Sequence, residues 1–218
     1  MKNIFNLNSR LMQGLAMLTN LVALNILWLI CCVPVITAGA ATTALYHTIF
    51  QFHTQQDDAV LRPFFRAFRA NFKQATLLWL AVLIPVCLLA FDLVYLVSWG
   101  QGTAVLFLLV LCAVFVLGMQ IHLFPLIARF EMTVGALIRT AASLVMLHLP
   151  TTLLVLALNL MPLGIYAYDP MLFLRVGILW IGVWFSLVAF FNGKLLLKIW
   201  KKHMPDEGEA PEERAGEE

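Results

Sequence analysis

The sequence predicts an all-α fold, a polytopic bundle of transmembrane helices. Three observations predict it. Of 218 residues, 62% are hydrophobic and only 12% charged, against about 45–50% and about 25% in soluble domains. Mean hydropathy is +0.90. The apolar residues fall into runs of about twenty, the length of helix that crosses a hydrocarbon core. A soluble fold could not hide this much apolar surface, so lipid is the solvent for most of the chain.

The elements follow in order. Residues 1–13 mix Ile4, Phe5, Leu7, Leu11 and Met12 with Asn3, Asn6, Asn8 and Ser9, an amphipathic lead-in at the membrane surface. A first span runs from about Leu15 to Ile36, punctuated by Pro34, Thr37 and Gly39. Its run Leu21 to Ile36, followed by small residues through Ala41, imitates a signal-peptide cleavage site. The region before it is long and carries only Lys2 and Arg10, so the segment is read as a retained span. Residues 38–52 are short and moderately apolar, fitting a sixth crossing, a re-entrant helix or an interfacial helix. Four clearer spans are expected at about Ala75–Trp99, Thr103–Ala128, Ile138–Leu160 and Met171–Leu197. Their connectors are 100–102, 129–137 and 161–170. Pro205 closes the last helix, and residues 205–218 form an acidic tail expected to be disordered. Residues 1–204 are expected to form a single transmembrane domain.

Lysine and arginine placement orients the bundle. Basic residues precede the first span, fill Arg62 to Lys73, recur at Arg129 and Arg139, and follow the last span. The connectors 100–102 and 161–170 carry none. Six membrane helices put every cluster on the cytoplasmic side, with both termini inside. Five spans plus a re-entrant or interfacial helix would put the N-terminus outside and lose only Lys2 and Arg10.

Residues 61–74 carry the most chemistry. At about 100° per residue, Arg62, Arg66, Arg69 and Lys73 fall within about 60° of one another. Leu61, Phe64, Phe65, Phe68 and Phe72 form a second stripe roughly 120° away. Pro63 suits a first helical turn, and Asp57 and Asp58 lie upstream, where a helix N-terminus favours negative charge. This basic-aromatic helix is either a lipid anchor, with phenylalanines in the acyl boundary and cations on anionic headgroups, or a docking surface for a cytoplasmic partner.

Polar residues inside spans are costly and are functional candidates by default. They are Asn25, Asp92, His122, His148 and Asn159. Each could line a pathway, but helix-to-helix hydrogen bonding is the commoner use. Arg175 and Lys194 lie near span ends and can snorkel. His47 and His53 stand about 600° apart on a helix, on opposite faces, which is poor metal-ligand geometry even with Asp57 and Asp58 nearby. Cys31, Cys32, Cys87 and Cys112 lie in apolar segments without ligand spacing and act as small hydrophobes. Lys73-Gln74-Ala75 before Pro85 echoes Arg139-Thr140-Ala141 before Pro150, as two spans entering from one basic side would. No zinc-protease motif, P-loop, dinucleotide fingerprint or nucleophile elbow occurs. The expectation is a non-enzyme without cofactor. No basic stretch is long enough for nucleic acid.

Three stretches carry a resemblance. Asn25-Ile-Leu-Trp-Leu-Ile-Cys-Cys-Val-Pro-Val-Ile-Thr37 continues through Gly39 to Ala44-Leu45-Tyr46. Phe64-Phe-Arg-Ala-Phe-Arg-Ala-Asn-Phe-Lys-Gln-Ala75 is the second, and Phe124-Pro-Leu-Ile-Ala-Arg-Phe130 a weaker third. In order and spacing they resemble the YesL family of bacterial membrane proteins, the domain of unknown function 624 family. Members often carry Gly-Pro where this chain has Gly39-Ala40, a departure that loosens the turn. The resemblance implies a helical protein of the bacterial cytoplasmic membrane, encoded near carbohydrate uptake genes. No established activity and no catalytic residues come with it; together with the basic-aromatic helix it leads to the expectation of an accessory role with a sugar ABC transporter or another membrane protein. A small transporter or channel acting by itself is the alternative.

Overall fold

A computed structural model describes residues 2–54, 60–99 and 103–203. Asp57, Asp58, the connector 100–102 and the acidic tail 205–218 lie outside the described residues. Nearly all the described residues are helical, and among them there is no strand. In order, α1 spans Lys2–Cys32, α2 Ala38–Thr54, α3 Leu61–Trp99, α4 Thr103–Arg129, α5 Val134–Leu147, α6 Leu149–Tyr168, α7 Pro170–Arg175, α8 Gly177–Leu179 and α9 Phe185–His203. A short 3-10 turn, Val35–Thr37, joins α1 to α2, and a π-helical turn, Trp180–Trp184, joins α8 to α9. Five described stretches are long and apolar enough to cross a membrane: Met12–Cys32, Leu61–Leu96, Val105–Arg129, Leu149–Tyr168 and Gly177–Trp200. The chain is an all-helical membrane protein, and these helices meet the lipid bilayer.

Several boundaries depart from the sequence expectation. The lead-in is continuous with α1, which stops at Cys32 because Pro34 takes an extended conformation (φ −78°, ψ 105°) and the turn closes through Thr37 N–H to Pro34 O at 2.9 Å. The expected span at 138–160 breaks at His148 (φ −122°, ψ 40°), where Pro150 begins a new helix and removes a backbone donor. The expected connector 161–170 is helical as far as Tyr168. The last span is interrupted at Val176 and widened by the π turn. The 61–74 helix is the first part of the 39-residue α3. At 1.5 Å per residue α3 is about 58 Å long, nearly twice the hydrocarbon thickness.

Residues 38–52, ambiguous in sequence, form the hub. From Ala38 to His53 no residue is exposed, on any face. A helix covered all round belongs in the middle of a bundle. Its composition permits this, because Ala40, Ala41 and Ala44 let neighbours approach closely. Thr42, Thr43 and Thr48 return their hydroxyls to the carbonyls of Ala38, Gly39 and Ala44, four residues back, at 2.8–3.0 Å. Gly39 is where α2 meets α3: a Cβ there would stand 2.5 Å from Trp79 Cβ and 2.6 Å from Ala75 O. The turn before α2 is held by Trp79 Nε1 donating to Val35 O at 2.7 Å. From Trp79, α3 continues about 30 Å further to Trp99. The 17 residues of α2 therefore accompany only the basic half of α3. α2 is thus a short helix packed among the longer spans, with no exposed face among residues 38–53.

Packing differs between the two ends. The core gathers Phe64, Ala75, Leu123, Leu126, Leu137, Leu196 and Trp200 around α2. In the far half of α3 and the facing half of α4, Ile84, Leu88, Phe91, Phe107 and Leu108 are exposed. Such a surface is stable against acyl chains and not against water.

Candidate functional site

The basic clusters converge on one end of the bundle. Gln74 Nε2 on α3 donates to Met132 O after α4 at 3.0 Å. His47 Nδ1 donates to Ala128 O at 3.0 Å, which leaves Nε2 to accept from Gln51 Nε2 at 3.2 Å. Phe130 meets Trp200 edge-on at 5.2 Å, and Phe50 packs on the same indole at 5.5 Å. These contacts place the Arg62–Lys73 segment, Arg129 and the lysine-bearing end of α9 around the buried end of α2.

Within Arg62–Lys73 the aromatic stripe divides. Phe64 is fully buried and Phe68 half-buried, while Phe65 and Phe72 are 41% and 37% exposed. The four rings still form a ladder: Phe64 packs edge-on to Phe65 and stacks with Phe68, which meets Phe72 at 5.5 Å. The face against the protein is Phe64, Ala67, Ala75 and Leu78, all buried. At about 100° per residue it lies about 180° from the arginine stripe. Arg62, Arg66, Arg69 and Lys73 are therefore exposed on the side pointing directly away from the core. Arg62, Arg66 and Arg69 line one open groove with Leu61 and Phe65. The expected lipid anchor is in part a core element, and Phe64 belongs to protein packing.

The polar span residues sort by what they touch. Asn25 is completely buried. Its Nδ2 donates to Ile181 O at 2.7 Å and Trp180 O at 3.3 Å, and its Oδ1 accepts from Ser186 N–H at 2.9 Å. A π turn disrupts the regular i to i+4 ladder, and Asn25 supplies partners at that point. Ser186 Oγ adds a bond to Leu21 O at 2.7 Å. His122, also buried, meets Thr152 Oγ1 at 2.8 Å. Thr152 gives its proton to His148 O at 3.0 Å, so His122 Nε2 is the donor in that pair. Thr152 thus joins the two histidine positions across the α5–α6 break. Asn159 donates to Val155 O at 2.8 Å on its own helix and lines a cavity between helices. Asp92 is exposed on the far half of α3, apart from the others.

Residues not singled out from sequence complete these sets: Thr152, Ser186, Gln120, and Asn192, which donates to Tyr46 hydroxyl at 2.8 Å. Gln120 and Asn192 were visible as amides in apolar runs. Among the described residues, no group of three or more His, Cys, Asp or Glu side chains could hold a metal ion.

No curated protein and no solved structure matches the chain. Residues 21–93 match a family model, and they hold Asn25, the α1–α2 turn, the buried α2 and the basic-aromatic part of α3. That family is described as a protein of unknown function, DUF624, and the chain carries its signature over this segment.

Proposed function

We propose that this protein is a non-enzymatic accessory component of a bacterial carbohydrate uptake system, docked through its basic end on the cytoplasmic face. One observation carries the docking surface. Arg62, Arg66 and Arg69 stand exposed along one face of α3, with Phe65 in the same groove. Their opposite face is fixed in the protein core by Phe64 and Ala67. A rigid helix presenting guanidinium groups and an aromatic ring is suited to a partner's carboxylates and apolar pockets. The carbohydrate context is supported by the family resemblance. The basic end and both termini are assigned to the cytoplasm by the positive-inside rule. Single-cysteine labelling at residue 2 and in the tail tests this orientation, and an externally labelled terminus would contradict it.

The role is tested by purification in mild detergent from cells grown on different sugars. The wild-type chain should bring down the membrane or ATPase subunit of a sugar ABC transporter. Arg62→Gln/Arg66→Gln/Arg69→Gln should lose that subunit while eluting as a folded protein. Recovery of the wild type alone under every sugar would overturn the proposal.

A further inference from the structure

Where the spans meet lies a cavity of about 270 Å³ to which all five, and α2, contribute: Trp28 from α1, Thr42 from α2, Trp79 from α3, Gln120 from α4, Asn159 from α6 and Phe185 from α9. That places it at the crossing point of the bundle, away from the arginine groove.

Its polar groups divide into used and unused. Thr42 Oγ1 donates to Ala38 O at 2.8 Å and accepts from Trp28 Nε1 at 3.1 Å. Trp79 Nε1 is taken by Val35 O, and Asn159 Nδ2 by Val155 O. Asn159 Oδ1 and the whole Gln120 carboxamide make no hydrogen bond to the described residues. Both side chains are half-buried, in helices with few other polar groups. An amide carbonyl or N–H set in a mainly apolar wall favours a ligand that can pair with it. Together the two unused groups offer two acceptor oxygens and one NH₂ donor.

The wall also says what the occupant is not. No Asp, Glu, Lys, Arg or His lines the cavity. A charged ligand would lose its hydration with no counter-ion to replace it. The indoles and the Phe185 ring supply flat apolar faces, which match a face of C–H groups. The volume corresponds to roughly nine waters, enough for a molecule of about a dozen non-hydrogen atoms.

We propose that this cavity binds a small uncharged polyol of monosaccharide size. Its hydroxyls pair with Gln120 and Asn159, and its C–H face lies on the aromatic wall. The site is independent of the docking role: a chain with no transporter partner would still bind, and one that docks need not.

The test uses the full chain in phosphatidylethanolamine–phosphatidylglycerol nanodiscs. Tryptophan emission is titrated with D-glucose, D-xylose, myo-inositol and glycerol, and with the charged analogues D-gluconate and D-glucosamine. At least one neutral probe should give a saturable change that Trp28→Phe or Trp79→Phe diminishes. Gln120→Leu and Asn159→Leu should each weaken binding about tenfold, the equivalent of one hydrogen bond to a neutral group. Native mass spectrometry of the wild type should show a one-to-one adduct with that probe, a readout that needs no variant to fold. The proposal is overturned if no neutral probe binds, if the charged analogues bind equally well, or if a retained lipid occupies the site and no neutral probe displaces it.

Discussion

Replacing Asn25 by leucine should uncouple α1 from the last span. The change removes three hydrogen bonds, to Trp180 O, Ile181 O and Ser186 N–H. Interhelical hydrogen bonds in membrane proteins average about 0.6 kcal/mol, with a maximum near 1.7. Three of them give about 2 kcal/mol if the orphaned groups relax, and about 5 if they do not. The lower figure already shifts the folded-to-unfolded ratio about thirtyfold. Leucine keeps the branched outline of asparagine but is larger, so overpacking at this fully buried site adds to the lost hydrogen bonds. Equilibrium unfolding in mixed dodecylmaltoside–SDS micelles, followed by far-UV circular dichroism, measures it. A second variant locates the effect. Deleting Gly182 from the π turn should let the helix rewind to a regular ladder that satisfies its own carbonyls, recovering much of the stability in the Asn25→Leu background. An Asn25→Leu chain within about 0.5 kcal/mol of wild type, the ordinary range for an inconsequential substitution, would refute the clamp. Equal destabilisation with and without the deletion would refute the link to the π turn.

Four further outcomes follow from the structure. Gly39→Ala forces a Cβ against Trp79 and the Ala75 carbonyl and should cost about 1–3 kcal/mol. Gly14→Ala, with open space around it, should be neutral or stabilise by up to about 1 kcal/mol; the same micelle titration reads both. Thr152→Val breaks the link between His122 and His148 O and should cost about 1 kcal/mol, while Thr152→Ser stays close to wild type. Neutralising Arg62, Arg66 and Arg69 together should leave unfolding within about 0.5 kcal/mol of wild type, because all three are exposed. A larger loss would show that this stripe serves the fold and not an outside partner.

The long spans were legible because a continuous apolar run is a strong signal. So was the basic stripe, since angular position along a helix follows from residue number. The role of α2 was not. Its alanines and threonines lower its hydropathy, and the feature that matters is their small size against three or four neighbours, which no single segment reveals. The aromatic stripe misled for a related reason. Phe64 and Phe65 read as one apolar face, but the contact surface is set by Ala67 and Ala75, whose small side chains admit α2. Breaks at His148 and Val176 were hidden inside apolar runs, since Pro150 fits equally within a kinked span and at the start of a new helix. Among the candidate polar residues, Asn25 and His122 were visible as isolated polar groups, but their partners are backbone carbonyls and a threonine far away in sequence. Such pairings become visible only once the helices are assembled.

The packing of α2 among its neighbours also bears on how the protein is made. α2 is synthesised before α3, α4 and α9, the helices that cover it. Its 17 residues fall short of the about twenty that cross a hydrocarbon core, so alone it makes a weak inserted segment. Its docking has to await α9, whose Asn192 and Trp200 close over Tyr46 and Phe50. Assembly is therefore a late, long-range event, and chains truncated before α9 should leave a threonine-rich helix uncovered for quality-control proteases to recognise.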